Sequence, residues 1–274
     1  MCGGNPVHAS TGGPPPSYGP QVNARWGKPY PGVRLASEIM SAPVVAVVHH
    51  LERSFLGYAG PALAGMELDE RFLREGDALP RLDEVDGIVS LGGEQNALDP
   101  ALREEAALLR EATERGVPVL GVCLGAQLLA HALGGRVRRL DRRHLDWLEL
   151  CPLPAADGDP VLGALPPGAH GVHWNEDGFD LPPGAVELLR SPAGSGEGFR
   201  AGGCAWGVQF HPELDEDSLG DWYVDWHEAL AAAGVTEEAA RAADREHLPG
   251  QRALSEAIFG GFARVVAGRL CRHA

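Results

Sequence analysis

The stretch VPVLGVCLGAQLLAHALGG, residues 117–135, places one cysteine between two glycines at the point where the pattern of apolar residues changes. The apolar run before Cys123 predicts a short buried strand, and the Leu- and Ala-rich residues after it predict a helix over 124–133. GVCLG fits the nucleophile-elbow pattern, glycine–any–nucleophile–any–glycine, with Cys in place of Ser. Such a turn exposes the side chain at the carboxyl end of a strand, although a buried structural cysteine would also satisfy the pentapeptide alone.

Further segments upstream of this turn indicate the fold class. VVAVVHH (44–50) and GIVSLGG (87–93) are short β-branched runs, typical of strands that are buried on both faces of a parallel sheet. A helix is predicted downstream of the second run, with Asp99 as N-cap, Pro100 at its first position and Gly116 beyond its end. Alternating strands and helices predict an α/β protein with an open, mostly parallel sheet flanked by helices.

The N-terminal and C-terminal segments differ in composition and pattern from the alternating strands and helices. Residues 1–42 are rich in Gly, Pro and Ser and are predicted to form a disordered tail. Residues 43–270 are predicted to form one domain, in which 136–210 contribute short β segments. Residues 214–270 are predicted to be a helical extension of the same domain.

Composition and charge exclude several classes of function. The formal net charge is −15 and no stretch concentrates Lys or Arg, which argues against nucleic acid or an anionic membrane as a partner. The five cysteines lack paired spacing, so we expect neither a disulfide framework nor a zinc site, and a reducing cytoplasm is the simpler location. No apolar run is long enough to span a membrane. We expect no metal and no cofactor.

Most of the remaining aromatic and imidazole side chains are expected to be structural. A core or interface position is predicted for Trp174, Trp206, Trp222 and Trp226. No metal-ligand spacing relates the histidines His49, His50, His131 and His173 to each other or to the cysteines.

A nucleophilic cysteine needs a base, and the segment WGVQFHPELDED (206–217) supplies a candidate. It predicts a strand that delivers His211 at its end, and Glu213 can hold the imidazole in the required tautomer. The N-terminus of the helix after Cys123 adds unpaired N–H groups and the positive end of a dipole, which favour the thiolate. Cys123, His211 and Glu213 are therefore candidate catalytic residues.

GVCLGAQ followed by a distant FHPE resembles the class I glutamine amidotransferases, a Cys–His–Glu family that hydrolyses glutamine. The intervening HWNEDGFDLPPGAVELLRSP and the helical tail resemble the stand-alone branch that is similar to the amidotransferase domain of GMP synthetase. The resemblance covers residues 44–268 and implies the flavodoxin-like fold of that family.

The resemblance implies roles for particular residues. Cys123 would attack a γ-glutamyl amide carbon to give a thioester. His211, oriented by Glu213, would protonate the departing ammonia or amine and then activate the water that hydrolyses the thioester. Backbone N–H groups of Gly93 and Leu124 would form the oxyanion hole.

Five further positions are predicted to bind the substrate: Gly92, Gln127, Asn175, Glu176 and Asp177. Relatives tend to carry His-Gly-Asp where this chain has Asn175-Glu176-Asp177. The missing glycine removes the freedom for a close backbone approach to the substrate. Because Glu176 can also bring a carboxylate towards the amino end of the substrate, a γ-glutamyl compound other than free glutamine is a candidate substrate.

Two enzyme hypotheses stay open, because an amidotransferase normally passes ammonia to a synthetase and this sequence has no P-loop motif. In the first, the chain is a glutaminase subunit whose synthetase partner is encoded separately. In the second, it is an autonomous γ-glutamyl hydrolase or peptidase that acts on a small metabolite. A non-catalytic binding module on the same fold is a third hypothesis. The sequence does not indicate the γ-glutamyl compound, the acceptor of ammonia, the partner or the oligomeric state.

Overall fold

The structure is a computed structural model that describes residues 42–52, 56–192 and 194–268. The predicted tail, residues 1–42, lies outside the described residues except for its last position. The last two residues of the predicted domain, 269 and 270, also lie outside them.

The described residues form ten strands and six α-helices. The strands are β1 (Val44–His49), β2 (Glu67–Phe72), β3 (Gly87–Ser90), β4 (Val119–Val122), β5 (Val137–Glu149), β6 (Cys151–Pro152), β7 (His170–Phe179), β8 (Val186–Ser191), β9 (Gly194–Ala201) and β10 (Ala205–Val208). The helices are α1 (Ala59–Ala62), α2 (Arg103–Glu114), α3 (Leu124–Ala132), α4 (Glu216–Asp225), α5 (His227–Ala232) and α6 (Glu237–Gly268).

Eight strands form one sheet in the order β2-β1-β3-β4-β10-β9-β8-β6. Strands β2, β1, β3, β4 and β10 run parallel, and β9, β8 and β6 continue the sheet in antiparallel fashion. The predicted open, mostly parallel sheet flanked by helices is therefore confirmed. Strand β2 was not predicted, because its residues ELDERF are largely charged and, among the described strands, it pairs with β1 alone at the sheet edge.

The side chains of β1 show why a continuous apolar run indicates a strand buried on both faces. Val45 and Val47 belong to a core cluster that also contains buried residues of α1 and α6. Ala46 and Val48 point the other way, into a cluster with residues of α2 and α3. Successive side chains of a strand alternate between faces, so both faces of the sheet are covered by helices.

The start of α2 differs slightly from the prediction. Asp99 does act as a cap, because its side chain accepts a hydrogen bond from the N–H of Ala101. The turn that it caps is a short 3₁₀ helix, Pro100–Leu102, and the α-helix proper begins at Arg103. Gly116 follows the helix with a φ of 68°, a left-handed conformation that glycine adopts without strain.

Strands β5 and β7 form a separate two-stranded antiparallel sheet. The prediction of only short β segments over 136–210 was wrong here, since β5 has 13 residues and β7 has 10. Arginines and acidic residues occupy much of β5, so the alternation of apolar side chains that marks a strand is weak in its sequence. The segment Asn175–Asp177 consequently lies inside a regular strand and not in a loop.

The C-terminal helices cover parts of both sheets. Leu254, Ile258 and Phe262 of α6 are fully buried against the main sheet, as their helical spacing predicted. Trp222 of α4 and Leu230 of α5 pack with side chains of β5 and β7 in a third apolar cluster. No helix within the described ranges is long and apolar enough to cross a membrane.

Candidate active site

Cys123 occupies a strained turn between β4 and α3. Its φ is 50° and its ψ is −104°, and it alone among the described non-glycine residues has a positive φ. Backbone strain of this kind costs about 1–3 kcal/mol and is concentrated at functional sites. A Cβ atom on Gly125 would lie 2.0 Å from the carbonyl oxygen of Ser90, and one on Gly121 would lie 2.6 Å from backbone atoms of Gly125. Both glycines of the pentapeptide are therefore required by close backbone packing.

His211 follows β10 and lies beside this turn. Its backbone N–H donates a hydrogen bond of 2.8 Å to the carbonyl oxygen of Val172 in β7. The imidazole Nδ1 lies 2.7 Å from Oε1 of Glu213, and both side chains are buried. The imidazole and the side chain of Cys123 line one cavity. The three side chains that were predicted to be catalytic are thus brought together.

The surroundings of His211 favour its charged form. Burial lowers the pKa of His211, but its electrostatic interactions with Glu213 and Cys123 outweigh burial and raise it to about 10. An imidazolium has two N–H donors, and Nδ1 faces the Glu213 carboxylate. The imidazole therefore carries a proton at neutral pH in the cavity that Cys123 also lines.

Gly92 and Gly93 follow β3 and lie close to the Cys123 turn and the His211 imidazole. A Cβ on Gly92 would lie 2.6 Å from Cε1 of His211 and 3.6 Å from the Cβ of Cys123. A Cβ on Gly93 would lie 2.5 Å from the Cβ of His50 and 2.7 Å from Cδ2 of Leu124. Leu124 is the first residue of α3, so the two backbone segments predicted to form the oxyanion hole are neighbours.

The predicted substrate-binding polar residues are joined to each other. Gln127 is buried, and its Nε2 donates to the backbone oxygen of Asp177 at 3.0 Å and to Oε1 of Gln209 at 3.4 Å. Nδ2 of Asn175 donates to the same backbone oxygen at 2.9 Å. The Asp177 carboxylate accepts a hydrogen bond from Asn96 at 2.8 Å. These contacts fix β7 against α3 beside the cysteine.

Glu176 has partners that the sequence did not indicate. Its carboxylate forms ion pairs with both Arg139 and Arg143 of β5. The negative charge that was expected to face the amino end of a substrate is therefore balanced by two guanidinium groups.

A cavity of about 300 Å³ opens over the cysteine. It is lined by Cys123 and His211, by all five positions predicted to bind substrate, and by a wall of tryptophans, Trp174, Trp222 and Trp226. The three tryptophans contact one another and belong to or pack against the third apolar cluster, as the core or interface prediction expected, and they also face the cavity. Trp206 is a core residue as predicted.

Gln209 and Gln251 contact catalytic candidates and were not predicted from the sequence. Nε2 of Gln209 lies 3.6 Å from the sulfur of Cys123. Its position two residues before His211 was an available signal, since alternate residues of an extended segment share a side. Nε2 of Gln251 in α6 donates to the backbone oxygen of His211 at 2.6 Å, and nothing in the local sequence marks it.

The histidines and acidic residues do not combine into a metal centre. No group of three or more His, Cys, Asp or Glu side chains among the described residues is arranged to hold a metal ion.

The fold and the site together define an α/β protein with a cysteine at a nucleophile elbow and a His–Glu pair beside it. The family model of the class-I glutamine amidotransferases matches residues 66–225, and the chain belongs to this family. The family predicted from the GVCLGAQ and FHPE motifs is confirmed.

Curated relatives are GMP synthases. The chain is 34% identical over 134 residues to the GMP synthase (glutamine-hydrolyzing) of Thermomicrobium roseum, a match that covers 49% of this chain and 24% of that protein. It is 31% identical over 162 residues to one subunit of the GMP synthase (glutamine-hydrolyzing) of Haloarcula marismortui, covering 58% of this chain and 80% of the subunit. The match thus spans about a quarter of the first relative and most of the second.

A solved structure agrees with the fold. The crystal structure of a glutamine amidotransferase from Thermotoga maritima is similar with a TM-score of 0.73 and 26% sequence identity. The likeness covers 82% of this chain and 98% of that one.

Proposed function

We propose that this chain hydrolyses a γ-glutamyl amide bond by way of a thioester on Cys123. The thiolate attacks the γ-carbonyl carbon, the S–C bond forms and the C–N bond breaks. His211 gives its proton to the departing nitrogen, which leaves as ammonia or as an amine. Water then attacks the thioester and gives a proton to His211, the S–C bond breaks, and glutamate is released with the thiolate restored.

One observation carries this proposal: the buried His211 imidazole contacts Glu213 at 2.7 Å and lines one cavity with Cys123, which lies at a strained elbow. The raised pKa of His211 supports its role as the acid, because the proton is present when the leaving nitrogen departs. Glu213 would hold the imidazole orientation through its 2.7 Å contact with Nδ1.

The backbone N–H groups of Gly93 and Leu124 are proposed as the oxyanion hole. Their segments lie against each other, with no space for a side chain at Gly93. Donors at such positions act where charge develops on the carbonyl oxygen, and losing one typically lowers the rate about 10²- to 10³-fold. Gly92 is proposed to give the substrate access to the sulfur, because a side chain there would fill the space beside His211.

We also propose that residues 43–270 act as one amidotransferase domain, with 214–270 as its helical extension. Contacts from α6 support this assignment, since Gln251 bonds to the backbone of His211 and the apolar face of α6 covers the sheet. The substrate would bind along Gln127 and the strand segment 175–177, all of which line the cavity.

The names of relatives support a separate synthetase partner. The Haloarcula marismortui relative is a subunit of a GMP synthase, so a synthetase subunit is a candidate acceptor of ammonia from this chain. The autonomous γ-glutamyl hydrolase remains the second candidate. The paired Glu176 carboxylate and the tryptophan wall favour it, because neither feature is needed for a free glutamine side chain.

The test is release of glutamate by the purified chain. L-glutamine and a panel of γ-glutamyl peptides and amides are offered with and without a candidate synthetase. We expect release from at least one compound to vanish in Cys123→Ala and to persist in Cys151→Ala, a control cysteine outside the cavity. Mass spectrometry of the quenched reaction should show one γ-glutamyl group attached to the chain. Absence of Cys123-dependent release from every compound would leave the binding-module hypothesis.

A further inference from the structure

Two chemically different groups of side chains line the cavity over Cys123. One group is polar and includes Gln127, Asn175, Asp177 and the ion-paired Glu176. The other group is apolar and consists of the three tryptophans with Leu51 and Ala229; we call this group the tryptophan wall. The γ-glutamyl group, with its amino and carboxylate substituents, matches the polar group, which leaves the tryptophan wall to be explained.

The tryptophan wall continues directly from the imidazole. The rings of Trp222 and His211 meet edge to face, with centroids 4.9 Å apart. Trp226 lies 4.7 Å from Trp222, and Trp174 lies 5.5 and 5.6 Å from these two rings. The indole N–H of Trp226 donates to Glu94 at 2.9 Å, which holds the outer ring in position.

The position of the tryptophan wall beside His211 indicates which part of a substrate would contact it. In the proposed reaction the departing nitrogen must face the proton of His211, whose ring meets Trp222 edge to face. A substituent on that nitrogen would therefore lie beside Trp222. Ammonia, the leaving group of free glutamine, would leave this wall without a contact.

The charges at the cavity indicate the character of that substituent. Each carboxylate among the described lining residues has an arginine partner: Glu94 pairs with Arg74, Glu176 with Arg139 and Arg143, and Asp177 with Arg139. The imidazolium of His211 adds a positive charge beside the wall. A cationic amine would find no unpaired carboxylate among these described residues, whereas an uncharged ring or alkyl chain would bury apolar area against three indoles.

We propose that the tryptophan wall is a leaving-group subsite for an apolar primary amine, and that the substrates are γ-glutamyl amides of aromatic or alkyl amines. This inference rests on the proposed function, because it needs Cys123 as the nucleophile and His211 as the acid. It adds the substrate class, and it assigns Trp226 as a specificity-determining residue for the part of the substrate that leaves.

The experiment compares γ-L-glutamylbenzylamide with L-glutamine as substrates of the full chain. We expect kcat/KM for the benzylamide to exceed that for glutamine by about 10-fold or more, since an apolar subsite typically discriminates about 10- to 200-fold per group. In Trp226→Ala this selectivity ratio should fall about 10-fold. Trp147→Ala is the matched control, because that tryptophan lies outside the cavity and should leave the ratio unchanged.

Binding to the Cys123→Ala chain gives a readout that needs no turnover. Calorimetry should show tighter binding of γ-L-glutamylbenzylamide than of L-glutamine, and the additional Trp226→Ala change should remove the difference. Loss of the difference with Trp226 supports the subsite.

Three outcomes would overturn the inference. If glutamine is turned over in a Cys123-dependent way at least as well as the benzylamide, the subsite is wrong while the proposed function stands. A preference for γ-glutamylputrescine or γ-glutamylglycine would assign a charged leaving group and not an apolar one. If no compound gives Cys123-dependent release and neither ligand binds preferentially, the proposed function and the subsite both fail.

Discussion

Gly92 leaves no room for even a methyl group beside the imidazole of His211. The 2.6 Å approach of a Cβ to Cε1 would push the ring away from Cys123. We therefore expect Gly92→Ala to lower kcat about 100-fold, because small displacements of a catalytic group can cost that much. Stopped assays of glutamate release measure kcat, and thermal melting of the same variant shows whether the fold is kept.

Gly220 provides the matched control for that substitution. It lies in α4, and a methyl group added there would meet no atom within 4 Å, so Gly220→Ala should keep full activity. It should also stabilise the helix by about 0.5–1 kcal/mol. Full activity in Gly92→Ala would contradict the close packing of the imidazole against this turn.

His211 makes stability depend on pH in a direction that follows from its raised pKa. The pKa is about 10 in the folded chain, against an ordinary value of 6.5. Because the folded chain holds this proton more tightly than the unfolded chain, the contribution is complete below about pH 6.5 and is lost as the pH rises through about 10. Thermal melting from about pH 6 to pH 10 should show the advantage of the unmodified chain over His211→Gln shrinking.

The same proton predicts a basic limit to activity. The imidazolium is the proposed acid, so kcat/KM should fall as the pH rises through about 10. A difference in melting temperature between the unmodified chain and His211→Gln that stays constant over this range would show that the imidazole is not stabilised in its charged form.

At the scale of elements, α6 reaches the site through one hydrogen bond. Gln251 donates to the backbone oxygen of His211, and Gln251→Leu would leave that carbonyl buried without its donor. We expect a loss of about 1–3 kcal/mol in stability. We also expect the basic limit of the pH profile to move, because the His211 backbone is no longer fixed. Glu256→Ala, an exposed position on the same helix, should change neither property.

Elements with a strong local pattern could be predicted from the sequence, and elements defined by their neighbours could not. β1, β3 and β4 are short apolar runs buried on both faces, and α3 follows a glycine-flanked cysteine, so each has its own signal. β2 and β5 are rich in charged residues and owe their pairing to partner strands. The family motifs indicated Cys123 and His211 as candidate catalytic residues in the same way, through local residue types.

The cavity residues likewise divide into those that a local sequence pattern indicates and those that only distant packing brings together. Its polar residues lie close to recognisable motifs, whereas Trp174 and Trp226 are far apart in the sequence and meet only because α4 and α5 pack on β7. Gln251 lies 40 residues after His211, and its contact depends on the packing of a whole helix. Single-sequence patterns carry no information on such distant contacts, so the grouping of the three tryptophans follows only from the folded structure.

At the scale of the whole molecule, α6 completes the core. Phe262 is fully buried with residues of the main sheet, and Phe262→Ala should lower the free energy of unfolding by about 3–5 kcal/mol. For a chain of this size the melting temperature should fall about 2–4 °C per kcal/mol. Val224→Ala, at a side chain that is 69% exposed, should change the free energy of unfolding by less than about 0.5 kcal/mol. Equal effects of the two substitutions would contradict the packing of α6.

The contact between Gln251 and His211 has a consequence for the order in which the site forms during synthesis on the ribosome. Cys123, His211 and Glu213 are all synthesised before the helix that fixes the histidine backbone. A nascent chain at that stage carries the chemical groups without their final arrangement. The final position of the His211 backbone therefore depends on a segment that is synthesised after all three candidate catalytic residues.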